Sequence, residues 1–239
     1  MASNPPSKCC FMGFRHEGQP KGSLQEIFGL ETYIAKPQVS HCCKSTKVTY
    51  EDKYIVILTD IYGHKFNNVQ LIADELANKT GLSEWLSKHS PEKTRNEAVQ
   101  PFLQKLRDEK KPSFVGVIGY CFGAKFAIQQ LAEDGLADVG AVAHPSFVTI
   151  EEVAAITKEK SLLISAAETD PVFTEELRHQ TEAKLMEKGN CYQLDLFSGV
   201  SHGFAARGDI SDPWVKYCKE KALADQIHWF TYFANQGKN

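Results

Sequence analysis

The sequence contains no long hydrophobic run. No apolar stretch in it approaches the ~18–20 residues that a helix needs to cross a bilayer. The first residues, through Lys8, also lack the apolar core of a secretory signal. We therefore expect a cytoplasmic protein with no membrane partner. In that reducing compartment the seven cysteines are expected to be free thiols rather than disulfides.

A basic excess is absent as well. Lys and Arg number 27 against 30 Asp and Glu, which gives a net charge of −3 and a pI near 6.2. Such a chain has no surplus of cations to pair with phosphates, so a nucleic-acid partner is not expected. Hydrophobic residues make up 42% and charged residues 24%, a balance typical of a globular protein. A small-molecule substrate fits this composition better.

The spacings typical of metal and dinucleotide sites are also missing. The cysteines at 9–10 and 42–43 are adjacent pairs, and no C-x-x-C spacing accompanies them, so a zinc site is not expected. The glycines at 116, 119 and 123 do not have the G-x-G-x-x-G spacing of a dinucleotide-binding loop. We expect neither a metal nor another cofactor.

What is present is an alternation of short β-rich runs with longer helical patterns. This alternation predicts a mainly parallel sheet with helices on both faces. No repeat or linker divides the chain, so we predict a single domain over 1–239, with an N-terminal arm over 1–23 and a loop insertion over 36–53. The predicted strands cover 54–59, 114–119, 139–143, 161–166 and 192–197, and the predicted helices cover 67–79, 91–109, 122–133, 174–188 and 213–235.

The last predicted helix carries large apolar side chains at three- and four-residue spacings, which predicts one buried face. The side chains assigned to that face are Trp214, Tyr217, Leu223, Ile227, Trp229, Phe230, Tyr232 and Phe233.

A candidate nucleophile lies between a strand and a helix. Residues 119–123 read G-Y-C-F-G, which matches the nucleophile elbow G-x-S-x-G with Cys121 in place of serine. A thiol at a helix N-terminus is favoured as the reactive thiolate. The backbone N–H of Phe122 is expected to form one half of an oxyanion hole. The alternative at this point is a buried cysteine in a glycine-rich turn with no chemical role.

Two candidate partners follow in the chain order used by α/β-hydrolases, which is nucleophile, acid and then histidine. Asp170 comes just after the strand 161–166, and His202 follows the strand 192–197. His202 is predicted to take the thiol proton, and Asp170 to orient the imidazole. Glu168 competes with Asp170 as the acid, and the His202-Gly203 pair could simply form a turn.

These segments together resemble the dienelactone hydrolase (carboxymethylenebutenolidase) family, in particular its fungal members. The resemblance runs from about Leu24 to Phe233 and is carried by 57–63, 119–124, 168–170 and 202–207, which read I-L-T-D-I-Y-G, G-Y-C-F-G-A, E-T-D and H-G-F-A-A-R. It implies an α/β-hydrolase fold and a Cys-His-Asp triad that attacks an ester or lactone carbonyl through an acyl-thioester, without metal or cofactor.

The resemblance also implies further site residues. Asp60 matches the position of a carboxylate that contacts the resting thiol, although family members often have the longer Glu there. The N–H of Ile61 would complete the oxyanion hole. Arg207 is the candidate for holding a substrate carboxylate, with a surface ion pair to Asp209 or Asp212 as its alternative role. His144, Phe204 and Tyr120 are expected to line the substrate pocket.

One departure from the family pattern concerns the sheet. In the family a strand of the kind G-Y-x-V-x-x-P-D and a loop follow the helix equivalent to 67–79, whereas here residues 78–85 pass almost directly into the next helical stretch. We therefore expect one family strand, beside the strand 54–59, to be missing after residue 79. Its absence would leave backbone groups of the neighbouring strand unpaired.

The function predicted from these residues is a cysteine hydrolase that cleaves a small ester, lactone or thioester. The missing strand and the shorter carboxylate keep a second hypothesis open, a non-catalytic binding protein with the hydrolase fold. A third hypothesis keeps the triad but makes Cys121 a redox-sensing thiol. We expect a monomer or a weak homodimer, with a small ester or lactone as the partner molecule.

Overall fold

The computed structural model describes residues 13–36, 52–60, 63–80, 82–85 and 91–236. Ile61 and nearly all of the predicted loop insertion lie outside these ranges, as does the first half of the predicted N-terminal arm. The described strands are β1 (Ser23–Ile27), β2 (Leu30–Ala35), β3 (Lys53–Leu58), β4 (Leu82–Trp85), β5 (Phe114–Tyr120), β6 (Val139–Ala143), β7 (Ser161–Thr169) and β8 (Tyr192–Ser201).

Helices connect most of these strands. They are α1 (Asn67–Thr80), α2 (Pro91–Thr94), π1 (Arg95–Val99), α3 (Gln100–Lys105), π2 (Leu106–Lys110), α4 (Phe122–Gln129), α5 (Ile150–Ala155), α6 (Glu175–Lys188), α7 (Phe204–Arg207) and α8 (Pro213–Asn235). Within the part of the chain that the structure describes, no helix is long and apolar enough to span a membrane.

The strands form one sheet in the order β1-β2-β4-β3-β5-β6-β7-β8. Every pairing from β4 to β8 is parallel, and only the pairings of β1 with β2 and of β2 with β4 are antiparallel. The predicted class, a mainly parallel sheet of the α/β-hydrolase type with helices on both faces, is confirmed. Because parallel strands end at the same edge of a sheet, the loops after β3, β5, β6, β7 and β8 meet there.

The parallel strands are buried on both faces. On one face, Ile57 and Leu163 pack in a cluster with Phe230 of α8. On the other face, Val117 and Ile164 pack with Phe126 of α4. Burying one such side chain contributes about 1.5–3 kcal/mol, and burial on both faces explains the nearly continuous apolar runs of these strands.

The helix boundaries follow from capping residues. At the start of α6, the Thr174 hydroxyl accepts from the backbone N–H of Leu177, and Gly189 ends the helix with a positive φ of 69°. The Asp212 carboxylate caps α8 by accepting from the N–H of Trp214 at 2.8 Å, and Pro213 occupies the first helical position. The predicted helices 174–188 and 213–235 are confirmed.

The prediction of a missing strand after residue 79 is wrong. β4 begins at Leu82, directly after the helix that ends at Thr80. It runs parallel to β3, with Ser83 beside Val56 and Trp85 beside Leu58, and pairs antiparallel with β2 on its other side. This four-residue strand pairs with the last three residues of β3, Val56–Leu58, which the prediction left without partners. It is too short to show a periodic pattern in the sequence.

The hairpin of β1 and β2 was not predicted. Its two turn residues, Phe28 and Gly29, both have positive φ, 54° and 83°, as a type I′ turn requires. The pair Phe-Gly is a weak signal for this turn because asparagine or aspartate is the usual first residue.

The predicted buried face of the last helix is narrower than expected. Phe230 is fully buried and Trp229 is 8% exposed, but Trp214, Tyr217 and Tyr232 are about half exposed, at 48%, 52% and 56%. Trp214 and Tyr217 stack on each other at 5.2 Å on the surface. The assignment of these three residues to the core is wrong because spacings of three and four also occur on the flank of a helix.

The N-terminal segment 13–22 is fastened to α1 by Asn68. The side-chain amide of Asn68 donates to the carbonyls of Phe14 at 2.8 Å and Ala206 at 3.0 Å. Its carbonyl oxygen accepts from the N–H of His16 at 2.7 Å. One buried side chain therefore joins the N-terminal segment, α1 and α7.

We expect Asn68→Ala to destabilise the protein by about 2–3 kcal/mol, because it leaves buried backbone groups without hydrogen-bond partners. Urea unfolding followed by circular dichroism measures this change. Asn96→Ala, at an exposed asparagine, is the control and should change stability by less than about 0.5 kcal/mol. Equal stability of the two variants would show that Asn68 does not hold the segment.

Candidate active site

Cys121 lies in a strained turn between β5 and α4. It is the N-cap residue of α4 and has φ 52° and ψ −111°, a backbone conformation that residues other than glycine rarely adopt. The turn brings Gly123 against β3, where a Cβ would lie 1.9 Å from the carbonyl oxygen of Leu58. Glycine at 123 therefore allows the close approach that puts the thiol at the carboxyl edge of the sheet.

Two polar groups from the described residues lie next to the sulfur of Cys121. His202 Nε2 and Ser146 Oγ each lie 3.3 Å from Sγ. Cys121 is fully buried, and His202 is only 6% exposed. The thiol and imidazole are therefore within hydrogen-bond distance in surroundings largely shielded from water.

Asp170 orients the ring of His202. Its Oδ2 lies 2.8 Å from His202 Nδ1, and its Oδ1 accepts from the backbone N–H groups of Val172 at 2.8 Å and Phe173 at 2.9 Å. Because an ionised carboxylate can only accept hydrogen bonds, Nδ1 carries the proton in the neutral imidazole. Nε2 is then left as an acceptor facing the sulfur.

Glu168, the competing acid, lies elsewhere. Its carboxylate accepts from the N–H of Gly199 in an exposed contact at 2.7 Å, whereas the side chain of Asp170 is buried against His202. The backbone N–H of His202 donates to the carbonyl of Thr169 at 3.2 Å. The ends of β7 and β8 thus place Asp170, and not Glu168, beside the histidine.

Asp60 and Arg207 form a buried ion pair. Asp60 follows β3 and is fully buried, and Arg207 ends α7 and is 1% exposed. Arg207 Nη1 donates to Asp60 Oδ2 at 2.5 Å. The alternative that Arg207 pairs on the surface with Asp209 or Asp212 is wrong, because the short helix α7 turns its side chain inward.

His144 lies against the catalytic histidine candidate. It follows β6 with a positive φ of 38° and is fully buried, and its ring packs edge-to-face on His202 at 5.0 Å. Burial, with smaller contributions from His202 and Arg207, holds the pKa of His144 well below its usual value of 6.5. The imidazole of His144 is therefore neutral at physiological pH.

Both aromatic candidates for the pocket lie next to His144. Phe204, the first residue of α7, lies 5.9 Å from the ring of His144 and so borders the site. The ring of Tyr120 lies 6.1 Å from that of His144, its hydroxyl donates to Gln226 of α8 at 2.8 Å, and burial raises the pKa of Tyr120. Contact of either aromatic ring with a substrate stays a prediction.

Phe122 is the first residue of α4, so its backbone N–H belongs to the first helical turn next to the thiol. Ile61, the second predicted donor of the oxyanion hole, lies outside the described residues. Across the described ranges, no cluster of three His, Cys, Asp or Glu side chains is arranged to hold a metal ion.

Ser146 was not predicted from the sequence as a site residue. It comes two residues after His144, and its distance of 3.3 Å from the sulfur arises from the turn after β6. No spacing in the sequence marks this contact, because the two residues are 25 positions apart.

Comparison with known proteins identifies relatives along nearly the whole chain. A sequence model described as the dienelactone hydrolase family matches residues 79–234. The protein called hydrolase tropI from Talaromyces stipitatus is 36% identical over 99% of this chain and 100% of its own length. The protein called dienlactone hydrolase 1 from Gibberella moniliformis is 30% identical, over 97% of this chain and 95% of its own length.

Solved structures with little sequence identity share the fold. A putative dienelactone hydrolase from Klebsiella pneumoniae superimposes with a TM-score of 0.66 at 10% identity, covering 84% of this chain and 92% of that chain. Esterase 2 of Thermogutta terrifontis with bound butyrate gives 0.62 at 14% identity, covering 90% and 95%.

The family match covers more than half of the chain, and relatives of at least 30% identity align along nearly its whole length. The chain therefore belongs to the dienelactone hydrolase family, whose enzymes hydrolyse ester and lactone bonds.

Proposed function

We propose that this protein is a cysteine hydrolase that cleaves a small ester, lactone or thioester through an acyl-thioester intermediate. One observation carries the proposal, the continuous line of contacts from Asp170 through His202 to Cys121, with distances of 2.8 Å and 3.3 Å. This arrangement couples a nucleophile to a base and the base to an orienting carboxylate.

The reaction begins with transfer of the thiol proton to His202 Nε2. The thiolate attacks the substrate carbonyl, a carbon–sulfur bond forms, and negative charge develops on the carbonyl oxygen. The backbone N–H of Phe122 stabilises this charge, and Ile61 is proposed as the second donor. Collapse of the tetrahedral species breaks the bond to the leaving group, which takes the proton from His202.

The second half of the reaction hydrolyses the thioester. His202, now neutral, accepts a proton from a water molecule that attacks the acyl carbon. The acid product leaves, and the thiol regains its proton from His202. Asp170 holds Nδ1–H throughout and stabilises the imidazolium in both halves. The proposed steps use side-chain and backbone groups of this chain together with water.

Burial restricts the substrate to small molecules. The sulfur belongs to a fully buried residue, and the rings of His144 and Phe204 pack beside His202. We therefore propose a small substrate rather than a peptide. Arg207 does not by itself indicate an anionic substrate, because its charge is balanced by Asp60.

We expect Cys121→Ser and His202→Ala to lower kcat/KM for an activated ester such as p-nitrophenyl acetate by about 10³-fold or more. Cys191→Ser is the matched control, since Cys191 is exposed and has no proposed role in the site. This variant should retain activity. Intact-mass analysis of wild-type protein with a panel of lactones and esters should detect an acyl adduct on Cys121.

Unchanged turnover in either site variant would refute the proposal. A Cys121 that forms a reversible adduct with mild peroxide, while no ester or lactone is cleaved and no acyl adduct forms, would favour the redox-sensing hypothesis. A Cys121 that reacts with neither peroxide nor iodoacetamide at pH 7 would favour a non-catalytic binding protein.

We expect the stability of the protein to decrease as the pH is lowered, because of His144. Its pKa is depressed in the folded state, so below about pH 6.5 the unfolded chain binds a proton that the folded protein excludes. This difference in proton binding has almost no effect above pH 6.5 and lowers stability progressively as the pH falls from 6.5 to 5. His144→Phe should remove that part of the decrease in urea unfolding measured across this range. His179→Gln, at an exposed histidine, should not; identical pH dependence in wild type and His144→Phe would contradict the assignment.

The ion pair between Asp60 and Arg207 should also be measurable. Arg207→Leu leaves the buried Asp60 carboxylate without this cation, and we expect a loss of about 3–5 kcal/mol of stability. Adding Asp60→Asn should recover part of that loss, because the buried charge is removed. Purely additive effects in the double-mutant cycle would show that the two side chains are not coupled.

A further inference from the structure

The side chain of Ser146, like that of His202, contacts the sulfur of Cys121, the proposed nucleophile. Its Oγ is 3.3 Å from Cys121 Sγ, the same distance that separates the sulfur from His202 Nε2. Ser146 is fully buried. The sulfur thus has an imidazole and a hydroxyl within hydrogen-bond distance.

The backbone fixes this contact. The N–H of Ser146 donates to the carbonyl of Cys121 at 3.0 Å, and the N–H of Cys121 donates to the carbonyl of Ala143 at 3.1 Å. These two bonds tie the backbone of Cys121 to the last residue of β6 and to the loop that follows it. The hydroxyl is therefore presented to the sulfur by the fold rather than by a mobile side chain.

A hydroxyl group favours the anionic sulfur over the neutral thiol. Next to a thiol it can accept a weak hydrogen bond from S–H, and next to a thiolate it rotates to donate to the negative charge. The second bond is the stronger one, because hydrogen bonds to charged groups exceed neutral ones. In a buried site, where water does not solvate the anion, this difference is large.

We propose that Ser146 is a catalytic residue that stabilises the Cys121 thiolate by donating its hydroxyl hydrogen to Sγ. This inference rests on the proposed function. The proton lost by the thiol goes to His202 Nε2, and the O–H bond of Ser146 stays intact. When the carbon–sulfur bond forms, the sulfur loses its charge and the hydroxyl loses an anionic acceptor. Ser146 therefore acts on the ionisation that precedes attack.

The test is the pH dependence of Cys121 alkylation by iodoacetamide, quantified by peptide mass spectrometry. This reaction reports the thiolate and does not require turnover. In Ser146→Ala we expect the apparent pKa of Cys121 to rise by about 1–2 units. The alkylation rate at pH 6.5 should then fall about 10-fold or more and approach the wild-type rate at high pH.

Ser165→Ala is the matched control, because Ser165 is a fully buried serine on the neighbouring strand β7. Its alkylation profile should equal that of the wild type. Two further variants are Ser146→Thr and Ser146→Val. Their side chains are nearly equal in size, but only that of Thr has a hydroxyl. The Thr variant should keep the wild-type profile and the Val variant should show the upward shift, which covers the case in which the Ala variant does not fold.

The outcomes separate this inference from the proposed hydrolysis. A wild-type profile in Ser146→Ala or Ser146→Val, with circular dichroism like that of the wild type, overturns the role of Ser146 even if esters are cleaved. A shifted profile in a protein that cleaves no ester would support the role of Ser146 and count against the proposed function. Equal shifts in the Thr and Val variants would mean that side-chain size, and not the hydroxyl, controls the thiol.

Discussion

The site depends on one close approach, that of the N-terminus of α4 to the end of β3. At Gly123 the two backbones are so near that no Cβ fits against the carbonyl of Leu58. The turn that makes this approach holds Cys121 in a positive-φ conformation. The rest of the site follows, because every other group is placed by a loop that ends at the same edge of the sheet.

The buried groups around the site carry little net charge. Asp60 and Arg207 neutralise each other next to Gly203, the residue after His202, and His144 is held neutral against His202. The charge that can change in this region is therefore concentrated on the sulfur and on the ring beside it. A low-dielectric site of this kind strengthens the interaction between a thiolate and an imidazolium.

Much of this could be predicted from the sequence. The buried strands are visible in the sequence as apolar runs, and the G-Y-C-F-G turn between one of them and a helix marks Cys121 as the candidate nucleophile. The order of Asp170 and His202 after their strands then places them beside it. The candidates Glu168 and Arg207 show the limit of this reasoning. Which carboxylate reaches the histidine, and which one pairs with the arginine, depends on the direction of side chains over the last residues of β7 and α7.

Other features carried no readable signal. β4 has only four residues and starts immediately after α1, so no periodicity could distinguish it from a loop. The alignment with the Talaromyces protein spans 266 positions, more than the 239 residues of this chain, so residues of that relative lack counterparts here. The contact of Ser146 with Cys121 joins two turns that are adjacent only because β5 and β6 are paired.

The N-terminal segment gives the active site a connection to the outer surface of the protein. Gly13 lies against the side chain of Arg207, and the N–H of Phe14 donates to the carbonyl of the same arginine at 3.0 Å. A fusion partner or surface joined upstream of residue 13 would therefore be linked to the segment that packs against Arg207 of the Asp60–Arg207 pair. Attachment at the end of α8 would avoid this segment.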